Sequence, residues 1–145
     1  MVLHRGHTKC KFDHTEDSII CKLYLSTRHR KYVAMCEFEF SPDTTTLSLL
    51  KFESNKRGYG KLLFCSTLRY LKRLGYTRIV LFAVSERGDL TSLLSYYRKM
   101  GFRSIRRNNP AEMKGIIDTL IQRCNRVHSN LIDRVSLQIL VKDAV

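Results

Sequence analysis

Two glycines lie one residue apart in residues 55–61, Asn-Lys-Arg-Gly-Tyr-Gly-Lys, between an apolar run and an amphipathic stretch. The first amides of a helix have no acceptor within the helix, and they carry the positive end of its dipole. A phosphate placed there accepts several hydrogen bonds, and glycine allows it to approach the backbone closely. Lys56, Arg57 and Lys61 add positive charge. The segment therefore predicts a pyrophosphate-binding turn, with a purely structural glycine turn as the alternative.

A second group of chemically useful residues lies in residues 95–102, Ser-Tyr-Tyr-Arg-Lys-Met-Gly-Phe, where Tyr97 precedes a Gly-Phe pair. Residues 55–60 resemble the Gln/Arg-x-x-Gly-x-Gly/Ala signature of the GNAT superfamily, the acyltransferases that use acetyl-coenzyme A. Residues 95–102 resemble the second signature of that superfamily, a tyrosine four residues before a Gly-Phe pair. The resemblance covers about residues 18–105, and it indicates an N-acetyltransferase that moves an acetyl group to a primary amine.

The resemblance also implies which residues hold the coenzyme. The pyrophosphate would be bound mainly through backbone amides, in a segment made of Asn55, Lys56, Arg57, Gly58, Tyr59, Gly60 and Lys61. The backbone of Leu50, Lys51 and Phe52 would align with the pantetheine arm as an added strand does. Asn55 stands where the family usually has Gln or Arg, so this position supplies no charge.

The resemblance places Tyr97 at the position of the proton donor to the departing thiolate, while a core aromatic residue is the structural alternative. Family members often take the base from a carboxylate on the strand before the turn, but that strand has no acid before Glu53. We therefore predict Glu37 on the neighbouring strand as the base, with Glu39 as a further candidate. Loss of the proton to bulk water remains open, and so does an exposed polar role for both glutamates.

Patterning places these residues on an α/β fold. Strands are predicted at 18–25, 32–40, 46–52, 77–84, 102–105 and 134–142, and helices from Gly60 to Gly75, at 90–100 and near 110–127. We expect one GNAT-like domain over residues 1–145, with 1–17 as a flexible lead-in. The fold class is a mixed central sheet with helices on both faces, reduced or absent N-terminal helices, and an extra helix before the last strand. That helix is expected to wall the acceptor site or to form a homodimer face.

The formal net charge of +13 predicts anionic partners. The amine acceptor would then be an acidic protein or an RNA-linked group. Two other classes of function stay open: a GNAT-like interaction module without catalysis, and a nucleic-acid-binding protein that uses its basic surface. Metal-ligand residue types occur at His4, His7, Cys10 and His14, but we predict no metal site.

No run of about 18 apolar residues is present, and the N-terminus lacks the apolar centre of a secretory signal. We predict a cytoplasmic protein that does not bind membranes, with the nucleus as the alternative. The five cysteines are odd in number and include no Cys-x-x-Cys pair. This pattern favours reduced thiols.

Overall fold

The computed structural model describes residues 8–25, 31–54, 58–85 and 88–125, which form a mixed α/β structure. Residues 117–125 are helical and are called α3. The other elements are β1 (Lys9–His14), β2 (Ser18–Tyr24), β3 (Ala34–Phe40), β4 (Thr46–Ser54), α1 (Tyr59–Arg73), β5 (Arg78–Phe82), α2 (Leu90–Met100), β6 (Arg103–Arg106) and β7 (Asn109–Ile116).

The strands form one seven-stranded sheet in the order β1-β2-β3-β4-β5-β7-β6. Only β4 and β5 are parallel neighbours, and every other pair within the described part of the chain is antiparallel. The helix α1 joins the two parallel strands, as a parallel connection requires. The predicted mixed central sheet is therefore confirmed.

One face of the sheet carries the core, because buried and more exposed residues alternate along the strands. On this face Phe38 of β3 meets Phe64 of α1, with ring centroids 6.4 Å apart. Phe64 in turn lies 6.0 Å from Phe102, which follows α2. Gly115 of β7 lies beside Leu120 of α3. All three described helices therefore pack on one face, whereas we had predicted helices on both faces.

The helix that we predicted near 110–127 is wrong for its first half. Residues 109–116 form β7, in which Ala111, Met113 and Gly115 are buried and alternate with more exposed residues. Pro110 suited a helix start, but here it lies next to the tight turn between β6 and β7, beyond the last β5 partner. The helix begins only at Ile117. Before it, buried and exposed residues alternate as they do in a strand.

The predicted flexible lead-in over 1–17 is also wrong where the structure describes it. Lys9–His14 forms β1 and pairs with β2 from Lys9↔Tyr24 to His14↔Ile19. Phe12 stacks on Tyr70 of α1 at 4.0 Å, and His14 Nε2 lies 2.6 Å from the Tyr70 hydroxyl. The strand is held because its inward side chains extend the core towards α1. Residues 1–7 lie outside the described residues.

The cysteines differ from the prediction of five reduced thiols. Cys65 of α1 and Cys124 of α3 form a disulfide with a Cα–Cα distance of 5.8 Å. Cys10, Cys21 and Cys36 are free and buried. Burial raises the pKa of the Cys21 thiol well above its usual value, and a hydrogen bond with Cys36 adds to the shift. All three free cysteines are therefore core residues.

The predicted strand at 134–142 lies outside the described residues. Among the helices that the structure describes, none combines the length and the apolar character needed to cross a membrane.

Candidate active site

The central sheet splits between its two parallel strands. The pairing of β4 with β5 runs from Thr46↔Arg78 to Leu49↔Leu81 and stops there. β4 continues to Ser54, and the chain after β5 stays extended, since the Ala83 amide donates to the carbonyl of Ala111. The strands therefore diverge at their carboxyl ends, where ligands bind in open α/β sheets.

A β-bulge lies where the split begins. On β3 the neighbours Glu37 and Phe38 face Lys51 and Leu49 of β4, so Leu50 is an extra residue without a counterpart. A bulge bends its strand and re-aims the local backbone groups. The bend is one physical reason why β4 leaves β5 at this point.

The diverging strands enclose a cleft of about 340 Å³. Eight of the eleven residues that line it have apolar side chains, and the charged groups that reach it from β4 are Lys51 and Glu53. Its walls consist of Leu49, Leu50, Lys51, Phe52 and Glu53 on one side, Leu81, Phe82, Ala83 and Val84 on the other, and Leu93 and Tyr97 of α2. The predicted residues Leu50, Lys51, Phe52 and Tyr97 thus lie around one cavity.

The start of α1 lies directly after β4. Gly58 is its N-terminal cap residue, with φ at 91°, and no described side chain caps the first turn. A side chain at Gly58 would be strained, because L-residues rarely adopt this backbone conformation. At Gly60 glycine is needed for a different reason, since an added Cβ would lie 3.0 Å from Ser54 Cβ and 3.3 Å from the Phe52 ring. Close helix–strand packing thus requires the second glycine.

The remaining residues predicted to bind the coenzyme are less completely placed. Asn55, Lys56 and Arg57 lie outside the described residues. Tyr59 begins α1 and packs against the core. Lys61 lines a separate groove of about 170 Å³ between the helices, together with Lys99, Arg123 and the disulfide. The first amides of α1 and this basic groove adjoin each other on the helical side of the sheet.

Tyr97 reaches the cleft from α2, whose start is capped by Asp89 through the Ser92 amide at 3.1 Å. The residue is only 9% exposed, and its ring packs edge-on against Phe102 at 5.7 Å. Burial raises the pKa of Tyr97 to about 12, with smaller contributions from Tyr96 and Cys36. Its hydroxyl is therefore protonated at neutral pH.

Tyr96 lies near the cleft as well, although it is not among the residues that line it. Its ring lies 6.3 Å from Phe52 and 5.7 Å from Tyr97, and the side chain is 39% exposed. Burial raises its pKa too. Helical spacing separates neighbouring residues by about 100°, which by itself would turn Tyr96 away from the side that Tyr97 faces. The aromatic ring is long enough to reach back to β4.

The carboxylates lie at different places. Glu37 is on the sheet face opposite the core, across from Lys51, and it is not among the residues that line the cleft. Glu53 lines the cleft, and its Oε1 accepts a 2.8 Å hydrogen bond from the Tyr32 hydroxyl. That hydrogen bond is the main reason why the pKa of Tyr32 is raised. Glu53 is thus the carboxylate nearest to the predicted chemistry.

Sequence reasoning did not single out the second wall of the cleft. Phe82 and Val84 line it and are 60% and 70% exposed. A nearly continuous apolar run such as residues 77–84 is typical of a strand buried on both faces, but here alternate residues remain exposed. An apolar strand with no helix available to cover its second face is the signal that could have identified Phe82 and Val84.

Comparison with solved structures supports this arrangement. The PaiA N-acetyltransferase of Thermoplasma acidophilum, solved with coenzyme A, superposes with a TM-score of 0.54 at 15% identity. The alignment covers 69% of this chain and 61% of that one, so the match spans less than two thirds of that protein.

A GNAT-family acetyltransferase of Staphylococcus aureus gives a TM-score of 0.55 at 18% identity, covering 69% of this chain and 68% of that one. Tetrahymena GCN5 gives 0.55 at 12% identity, covering 71% and 70%. No protein-family model matches the sequence, and no curated protein does. The strand order, the split between β4 and β5 and these superpositions together establish that the chain has the GNAT acetyltransferase fold.

Proposed function

We propose that the protein is an N-acetyltransferase that moves an acetyl group from acetyl-coenzyme A to a primary amine. The observation that carries the proposal is the split between β4 and β5 with Tyr97 at its edge. An ordinary parallel pair would close this gap with backbone hydrogen bonds. The gap has room for an extended arm, and Tyr97 lies beside it.

The coenzyme fits the residues that surround the gap. The uncapped first turn of α1 would bind the diphosphate through the amides of Tyr59, Gly60 and Lys61. Leu50, Lys51 and Phe52 would hold the pantetheine arm along β4 in the manner of a strand addition. Lys99 and Arg123, which border the neighbouring groove, supply charge for the remaining phosphate of the coenzyme.

The chemical step needs three functions at the gap. The amine nitrogen attacks the thioester carbonyl carbon, a C–N bond forms, and the C–S bond breaks. A backbone N–H at the Leu50 bulge would stabilise the oxyanion of the tetrahedral intermediate. The Tyr97 hydroxyl would donate its proton to the departing thiolate. Its pKa of about 12 keeps this hydroxyl protonated at working pH.

The proton of the attacking amine requires an acceptor. Glu37 stays a candidate that would act through water from the far side of β4. Glu53 is the candidate that lines the cleft directly. The overall charge of +13 favours an acceptor that belongs to an acidic protein or to an RNA-linked group.

A thermal shift experiment followed by turnover tests the proposal. Acetyl-coenzyme A at one hundred times its dissociation constant should stabilise the fold by roughly 2.7 kcal/mol. Release of free coenzyme thiol should then depend on an added amine. An unchanged melting temperature at millimolar acetyl-coenzyme A would refute the proposed binding site. Stabilisation without thiol release from any amine would leave a binding protein rather than an enzyme.

A further inference from the structure

The two sides of the cleft have different surroundings. All described helices lie on one face of the sheet, and the start of α1 lies there too. A coenzyme whose phosphates bind at that start must therefore approach the gap from the helical side. The acceptor amine then has to enter from the opposite face.

On that opposite face three large apolar side chains border the mouth of the cleft, beside the charged Lys51 and Glu53. Leu50, Phe82 and Val84 line the cavity and are 54%, 60% and 70% exposed. They come from both walls, so the two walls present apolar surface to one entering group. Large apolar side chains that converge on one opening favour a ligand with an apolar group at that point.

For proton removal the described lining of the cleft offers a single carboxylate, which is already hydrogen-bonded. Of its lining residues within the described chain, Lys51, Glu53 and Tyr97 can ionise. Tyr97 keeps its proton, and the Glu53 carboxylate already accepts the Tyr32 hydroxyl. Such a cleft best suits an acceptor whose amine is already largely unprotonated, so that no strong base is needed.

Amines differ widely in this respect. At pH 7.4 roughly one in four α-amino groups is neutral, compared with about one in a thousand lysine side chains. The α-amino group of a polypeptide also has a side chain on the adjacent carbon, next to the reacting nitrogen. An apolar first side chain would therefore lie at the apolar mouth while its amine enters the gap.

We propose that the acceptor is the free α-amino group of a polypeptide whose first residue has a large apolar side chain, which Leu50, Phe82 and Val84 contact. The inference rests on the proposed acetyl transfer and names its substrate class. The open sheet face around the mouth gives the rest of the polypeptide room to lie, since no described helix covers it.

The test compares three peptides and a short aliphatic diamine as acceptors for the full chain with acetyl-coenzyme A at pH 7.4. Two lysine-free peptides differ only in their first residue, leucine or glycine, and the third has a blocked N-terminus and one lysine. We expect kcat/KM for the leucine peptide to exceed that for the glycine peptide at least tenfold. We expect the lysine peptide to be at least a hundredfold slower than the leucine peptide.

Variants link the preference to the mouth. Phe82→Ser should reduce the leucine-to-glycine ratio of kcat/KM towards one, whereas Ile116→Ser should leave it unchanged. Ile116 is a matched control, because it is 42% exposed on the same sheet face at the other end of β5. Thermal melting shows whether both variants are folded, and each ratio is measured within one protein sample, so the active fraction cancels.

The outcomes are separable. Faster acetylation of the diamine or of the lysine peptide, or equal rates for the leucine and glycine peptides, would overturn the inference and leave the proposed acetyl transfer standing. An unchanged ratio in Phe82→Ser would overturn the assigned contact. Failure to bind acetyl-coenzyme A would refute the proposed function itself, and the inference with it.

Discussion

At the scale of single residues, Tyr97 combines burial with access to the cleft. Tyr97→Phe keeps the ring and its contact with Phe102, and it removes only the hydroxyl. We expect kcat to fall by about 10²-fold or more, as loss of a general acid does. Binding of acetyl-coenzyme A, measured by thermal shift, should be unchanged. Full activity in this variant would show that the thiolate leaves without a proton from Tyr97.

The raised pKa of Tyr97 also predicts a dependence of stability on pH. Its folded pKa of about 12 lies above the unfolded value near 10. The unfolded chain therefore ionises first, and stability is lost as pH rises from about 10 to 12. By pH 11 the expected loss is on the order of 1 kcal/mol. Thermal melts at pH 8 and 11 should show a smaller drop for Tyr97→Phe than for the unchanged protein.

The two glutamates make a matched pair. Glu53 lines the cleft, whereas Glu37 faces away from the core across from Lys51. Because direct proton transfer needs hydrogen-bond reach, we expect Glu53→Gln to lower kcat/KM more than Glu37→Gln. The pH profile of kcat/KM for each variant measures the effect. A larger loss of kcat/KM in Glu37→Gln would indicate that Glu37 is the base, as the sequence suggested.

At the scale of elements, the junction of β7, α3 and the segment after α2 depends on one glycine. A Cβ at Gly115 would lie 2.8 Å from Leu120 Cδ1 and 2.9 Å from Phe102 Cδ1. Gly115→Ala should therefore destabilise the fold by about 1–3 kcal/mol through overpacking. Denaturant unfolding measures this loss, and Lys114→Ala on the open face is the control. If Gly115→Ala left the free energy of unfolding unchanged, α3 would be free to shift and make room for the added methyl group.

The same junction shows what the sequence could predict. Glycine spacing and the tyrosine signature led to α1 and α2, because these motifs are local. The 109–117 segment was misjudged because alternation and helical spacing overlap at Met113 and Ile117. The split between β4 and β5 depends on pairing between distant strands, so no local pattern revealed it. Whether Leu50, Lys51 and Phe52 bind the coenzyme stays a prediction.

At the scale of the whole molecule, the disulfide joins residues 59 positions apart. In the chain-entropy model, closing a loop of this size stabilises a protein by about 4 kcal/mol. We expect Cys124→Ser to lower the melting temperature under non-reducing conditions. A strong reductant should lower it in the unchanged protein and have no further effect in the variant. Equal melting temperatures for all samples would show that the bond contributes nothing to stability.

A sheet that opens between two of its strands has inner borders as well as outer ones. Outer borders such as β1 and β6 invite pairing with other chains, which is the usual route to aggregation. The inner border along β4 beyond Leu49 is recessed between two walls, in a space of about 340 Å³. We expect a slender linear group to fit in this space, whereas a second polypeptide strand with its side chains would need more room. The protein can thus keep strand hydrogen-bonding groups available to a small molecule without offering them to its neighbours.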